Sequence, residues 1–193
     1  MSERVLTLDS NWLDIANRAL ALIGCAALTS FSEASKEAQT VTRILTSSVS
    51  DVYSQYNWKI ARKKEELSCW ETDIPGEYCF SYPPDFGRLE QVICDGEWYA
   101  DAKGIVTKAQ QVFLVYRAIP TMAEDMTPTM ANLVTLRLAA DLAMPLTHSE
   151  GLKQMCEQKY ETAYAKAVLL DNVPHYEDVK PVESYTEARE RVL

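Results

Sequence analysis

The chain has 193 residues, 47% hydrophobic and 24% charged, a composition that excludes a disordered or fibrous polypeptide and supplies enough apolar surface for a core. Its 28 acidic residues outnumber 19 basic ones for a net charge of -9, the wrong sign for a surface that grips nucleic acid by neutralising phosphates. Residues 1–70 balance eight basic against eight acidic residues, so the excess acidity lies in the later two-thirds.

The opening "MSERVLTLDS" has no apolar stretch of leader length, and no run of about 18 apolar residues occurs, so neither an export leader nor a membrane span is expected. Asp9 or Ser10 can cap a first helix carrying Leu13, Ala16, Leu20 and Ile23 at helical spacing, with Gly24 as its stop. Ser30 and Glu33 have the spacing of a capping box. From there Ala34, Ala38, Val41, Leu45, Val49, Val52, Tyr56 and Ile60 recur every three or four residues without an interrupting Gly or Pro. This periodicity predicts one helix of roughly 30 residues within 33–66, on the order of 45 Å long at 1.5 Å per residue.

Residues 71–120 hold four of the eight prolines and four of the six glycines between β-branched and aromatic runs, which predicts a small β region. Asp95-Gly96 separates Leu89 to Cys94 from Glu97 to Ala100 and has the composition of a two-residue hairpin turn. With Ile105 to Thr107 and Gln111 to Ala118, the expectation is an antiparallel meander of about four strands. Thr127-Pro128 then opens a helix that is apolar on most sides, with Arg137 and Asp141 spaced to pair along its surface. Pro145 is expected to end it, and Thr147 with Glu150 to cap a last helix to about Asp171. The remaining "NVPHYEDVKPVESYTEARERVL" loses apolar periodicity and reads as an extended arm, with Ser184 and Glu187 as a possible start of a short helix.

Chemical signatures are sparse. The glycine-rich phosphate loops, HExxH and GxSxG are absent from the sequence. The two histidines, His148 and His175, fall in a link and in the tail. Cys25, Cys69, Cys79, Cys94 and Cys156 are odd in number and form no CxxC pair, the pattern of reduced thiols, and the spacing of Cys69 and Cys79 matches no structural zinc site. Acidic pairs such as Asp95/Glu97 and Glu177/Asp178 read as solvated surface. The cluster Lys59, Arg62, Lys63, Lys64 reads as cations at the C-terminus of the long helix, where the macrodipole favours them. Two aromatic groups, Tyr53/Tyr56/Trp58 and Tyr78/Phe80/Tyr82/Phe86 with Trp98 and Tyr99 beyond, read as packing where helix meets sheet.

The order of the segments carries more information. "NRALALIG", "VYSQYNWKIARKK", "SYPPDFGRLEQVICDGEWY", "VFLVYRAIP", "LVTLRLAADLAMPLT" and "KYETAYAKA" occur in an order that resembles the phage tail tubular protein A family, over residues 10–172. The resemblance implies a head-to-tail adaptor of short-tailed phages. Copies would form a ring, usually of twelve, that docks under the portal protein, meets the tail nozzle (a tubular protein B-like partner) and lets DNA pass through its lumen without specific binding. The protein would then reside in the virion, in the tail or neck, after synthesis in the host cytoplasm.

The fold expected from the sequence is mainly α: a four-helix bundle-like core from residues 1–70 and 121–172, an inserted β meander at 71–120, and a C-terminal arm at 173–193. No catalytic, cofactor-binding or metal-binding residue is assigned, and no cofactor is expected. The functional expectation is a structural, non-enzymatic virion protein. A carboxylate-dependent hydrolase and a cytoplasmic helical protein-binding module are the alternatives.

Overall fold

A computed structural model describes residues 6–71 and 76–173. Helix α1 spans Ser10–Leu22 because the Asp9 carboxylate accepts from the backbone N–H groups of Asn11 and Trp12 at 3.0 and 2.9 Å. Gly24 follows its end at φ +75, where a side chain would be strained. Helix α2, Lys36–Ser54, starts at Ser35, whose hydroxyl accepts from the Ala38 N–H. The expected cap pair, Ser30 and Glu33, instead shapes the turn before the helix: Glu33 accepts from the backbone of Thr29 and Ser30 at 2.5 and 3.1 Å.

The expected 33–66 helix is corrected in length. It stops at Ser54; Trp58 is buried, with its indole N–H on the Val52 carbonyl at 2.9 Å, and a short 3-10 turn at Lys59–Ala61 leads into strand β1, Arg62–Glu66. Helix-forming side chains at 62–66 are overridden there by pairing with another strand. Helix α3, Pro128–Thr147, is capped by Thr127. Pro145 lies inside its last turn rather than ending it, and the helix closes at His148 in the left-handed region, φ +54. Ser149, not Thr147, caps α4, Glu150–Asp171. Thr147 donates back to the Ala143 carbonyl at 2.7 Å.

Helix α3 packs against α1, α2 and α4. Leu133, Val134, Leu138, Ala139, Leu142 and Ala143 have no exposed surface, which accounts for a sequence apolar on nearly all sides.

The remaining strands are β2 (Cys69–Glu71), β3 (Tyr78–Ser81), β4 (Phe86–Ile93), β5 (Trp98–Ala100), β6 (Gly104–Thr107) and β7 (Phe113–Ala118). They form two antiparallel sheets, ordered β1-β7-β4 and β2-β3-β6-β5. The mainly α expectation is therefore corrected: with 49% helix and 19% strand among the described residues the fold is mixed α/β, and β1 and β2 begin before residue 71. Asp95-Gly96, with Gly96 at φ +107, carries the chain from one sheet to the other and closes no hairpin, since β4 pairs with β7 and β5 with β6. The hairpin lies one turn later, where Asp101 N–H meets the Gly104 carbonyl at 2.8 Å.

Two cores result. The helices share one with Ile119 and Ala123; the sheets share a second built from Leu67, Phe80, Ile105, Val112, Leu114, Tyr116 and Ala118. Because Phe80 and Ile105 come from one sheet and Leu114 and Tyr116 from the other, the two sheets face each other across this core. Leu67-Ser68 joins edge strand β1 to edge strand β2, and the 94–97 turn joins edge β4 to edge β5. The β body thus has two opposite flanks, β1/β2 on one side and β4/β5 on the other.

Candidate assembly surfaces

The helical and β bodies are locked at the strand that follows the helix break. Arg117 on β7 donates to the Trp58 carbonyl and pairs with Glu90 at 2.5 Å, while Arg62 reaches the same carboxylate at 2.9 Å. Burial opposes ionisation of Glu90, but the bonds from Arg62 and Arg117 overcome it and hold the carboxyl below its ordinary range. Beside it, the buried Tyr116 hydroxyl lies 2.8 Å from Asp85 and 3.0 Å from Glu65, and Lys63 closes on Asp85 at 2.6 Å. Burial, reinforced by the two carboxylates, pushes the Tyr116 hydroxyl well up, and the hydrogen bond to Asp85 raises Lys63. The cluster Lys59, Arg62, Lys63, Lys64 therefore sits on a 3-10 turn and a strand, and the helix-dipole account of it is corrected.

Within the helical body, the expected Arg137–Asp141 pair forms at 3.2 Å and extends into a network: Arg137 also reaches Asp51 at 3.1 Å, and the buried Ser48 hydroxyl donates to Asp141 at 2.7 Å. It ties α2 to α3. Tyr160 on α4 donates to Gln55 at 2.5 Å, and burial pushes its hydroxyl up to about 12. These polar groups are turned to one another in pairs that hold elements together.

Most of the aromatic residues pack as expected. Tyr56 and Trp58 meet edge-on at 4.9 Å, Trp58 meets Tyr164 at 5.8 Å, and Tyr82 stacks on Phe86 at 4.2 Å. Trp98 and Tyr99 do not: they are 41% and 54% exposed on edge strand β5, with Ile93 exposed at the end of β4. A second apolar surface lies at the end of α4. There Leu169, Leu170 and Val173 are exposed, and a groove between the 58–60 turn, the start of α3 and the end of α4 is lined by Trp58, Ile60, Met130, Ala167 and Leu170. The Asp171 carboxylate accepts from the Lys59 N–H at 3.1 Å and holds the groove's end in place.

The residues weighed for chemistry are scattered. His148 is the exposed cap of α3, and His175, Glu177 and Asp178 lie outside the described residues, as does the arm beyond Val173. Cys69 and Cys79 occupy paired strands one position out of register, so their side chains leave opposite faces of the sheet. Among the described residues no group of three His, Cys, Asp or Glu is placed to hold a metal ion, and no helix is long and apolar enough to cross a membrane. Periodicity could not reveal the exposure of Trp98 and Tyr99, because it depends on β5 being an edge.

The geometry defines a two-body α/β protein with exposed apolar surface on both bodies, the composition typical of contact surfaces. No protein-family model matches the chain, and no curated protein is significantly similar to it.

Proposed function

We propose that this protein is a structural, non-enzymatic adaptor of a short-tailed phage, a ring-forming component that joins the portal to the tail nozzle and surrounds the path of the DNA. The observation that carries the reading is exposed apolar side chains on both bodies, Ile60, Leu169, Leu170 and Val173 on the helical body and Ile93, Trp98 and Tyr99 at the β4/β5 edge of the β body. A subunit between two neighbours in a ring and two further partners along the axis needs several such contacts on one folded body. The ordered resemblance of six segments to the tail tubular protein A family supplies the particular assembly. The net charge of -9 is compatible with a channel through which DNA slides without being held.

The test is assembly of the full chain with the portal protein of the same phage, followed by sedimentation and negative-stain imaging. The expected product is a ring seated on the portal. A 21.8 kDa species that stays monomeric alone and with portal would overturn the reading in favour of a helical binding module, and turnover abolished by one Asp or Glu substitution would overturn it in favour of an enzyme.

A further inference from the structure

The two flanks of the β body differ in character. Edge strand β1 reads Arg62-Lys63-Lys64-Glu65-Glu66 and is exposed along its whole length, preceded by Lys59. Four of its side chains are engaged by their own chain, Glu65 with the Tyr116 hydroxyl, Glu66 with the Gln111 amide at 2.7 Å, Arg62 with Glu90 and Lys63 with Asp85, while Lys64 lies over the Phe113 ring at 5.2 Å. The opposite flank presents Trp98, Tyr99 and Ala100 on β5, bracketed by Asp95, Glu97 and Asp101, and no cation occurs from Leu89 to Ala102.

Charged side chains along an edge are a common guard against chance strand pairing, and β1 carries them. Strand β5 has none of its own: a tryptophan, a tyrosine and an alanine line an edge that pairs with no further strand among the described residues. Pairing β5 with β5 of a second copy, antiparallel about Tyr99, would set Glu97 opposite Asp101 twice, a like-charge arrangement that destabilises a ladder. A basic edge suits it better, and the same chain carries one on its other flank.

We propose that copies of this chain associate head to tail through the β body, the acidic, aromatic β4/β5 edge of one copy seated against the basic β1 edge of the next. Because the two edges lie on opposite flanks, the contact is heterologous and each copy keeps one of each edge for its neighbours, which is the arrangement that generates a ring when the rotation closes. Trp98 and Tyr99 are the apolar anchors of the contact, and the flanking charges set its direction. The proposal rests on the ring reading above and names the surfaces through which neighbours would meet.

The test uses three variants of the full chain, each checked for native circular dichroism, and follows assembly by sedimentation velocity alone and on portal. Glu97→Lys/Asp101→Lys and Lys59→Glu/Lys64→Glu are each expected to lose assembly when alone. Mixed one to one they are expected to recover it, because every contact between unlike copies then joins opposite charges. Trp98→Ala/Tyr99→Ala is expected to weaken assembly by roughly tenfold or more, with no recovery in any mixture. Wild type should assemble less well as ionic strength rises past the point where the Debye length falls below about 8 Å.

If wild type assembles and the charge-reversed variants assemble equally well, or their mixture fails to recover, the head-to-tail contact is wrong and the ring reading stands. Recovery of Glu97→Lys/Asp101→Lys by wild type rather than by the Lys59→Glu/Lys64→Glu variant would point to β5 pairing with itself and overturn the proposal. Failure of wild type to assemble in either setting would overturn both.

Discussion

Leu138 sits at the middle of α3 with no exposed surface, on the one helix that packs against the three others. Leu138→Ala removes three carbons from that position. The transfer loss is about 0.8 kcal/mol per methylene, roughly 2.4 kcal/mol. A cavity enclosed by three neighbouring helices has little room to collapse, which adds about 1 kcal/mol or more. The expected loss is about 3–4 kcal/mol, or a fall in Tm of roughly 6–16 °C for a domain of this size. Urea unfolding followed by circular dichroism measures it, with an unchanged slope required for the comparison to hold. Met144 on the same helix is 39% exposed, and Met144→Ala serves as the control, with an expected loss below about 1 kcal/mol. A loss below about 1 kcal/mol for Leu138→Ala, or equal losses for the two, would refute the placement of α3 as the covered centre.

Gly104→Ala would put a Cβ 1.9 Å from the Phe80 carbonyl oxygen, so β3 and β6 must separate; the expected cost is about 1–3 kcal/mol, seen as a lowered urea midpoint, and a neutral result would show that this pairing is wrong. Arg117→Ala leaves Glu90 with one cation and the Trp58 carbonyl without its donor, and should cost about 2–3 kcal/mol and speed hydrogen exchange in the 58–66 segment; unchanged exchange there would sink the junction described above. Tyr53, Tyr116 and Tyr160 all have hydroxyls raised by burial, Tyr160 to about 12. Below about 10, the unfolded value, both states keep these protons and the stabilisation is fully present; above it the unfolded chain releases them first, so stability falls as pH rises toward 12. An ultraviolet titration should show these three among the ten tyrosines ionising only as the protein unfolds; if all ten ionise near 10 with the fold intact, their burial is refuted.

The parts of the fold that were legible in the sequence are those decided within a few residues. Asp9 before α1, Gly24 after it and Thr127-Pro128 before α3 act through their own backbone neighbours, so spacing alone located them. The Ser30/Glu33 pair shows the limit of that method: the same side chains that make a capping box also bind the amides of a turn, and Ser35 holds the helix start five residues later. Asp95-Gly96 was read as a hairpin because its turn chemistry is local, whereas the partners of β4 and β5 are β7 and β6, distant in sequence. Arg137 and Asp141 were placed correctly as a helical pair, but their third and fourth partners, Asp51 and Ser48, come from α2 and could not be read from spacing.

The misread boundary at Ser54 has the largest structural consequence. Residues 55–66 contain no proline or glycine, and Arg62 to Glu66 have good helix propensity, so nothing local stops the helix. What stops it is nonlocal: Trp58 gains a fully enclosed site with a partner for its indole N–H, and β1 gains a five-residue ladder with β7. A continued helix would forfeit both, and would leave β7 without a neighbour on one side and its Tyr116 hydroxyl without Glu65. The break therefore creates the flank on which Lys63 and Lys64 stand. A variant that favours helix across it, Asn57→Ala, should leave the boundary where it is, because a propensity gain of roughly 0.7 kcal/mol or less cannot compete with the loss of a buried tryptophan and a ladder. Amide exchange through residues 55–66 would detect the alternative, and helix-like protection running unbroken from Ser54 to Glu66 would show that local propensity, not strand pairing, decides this segment.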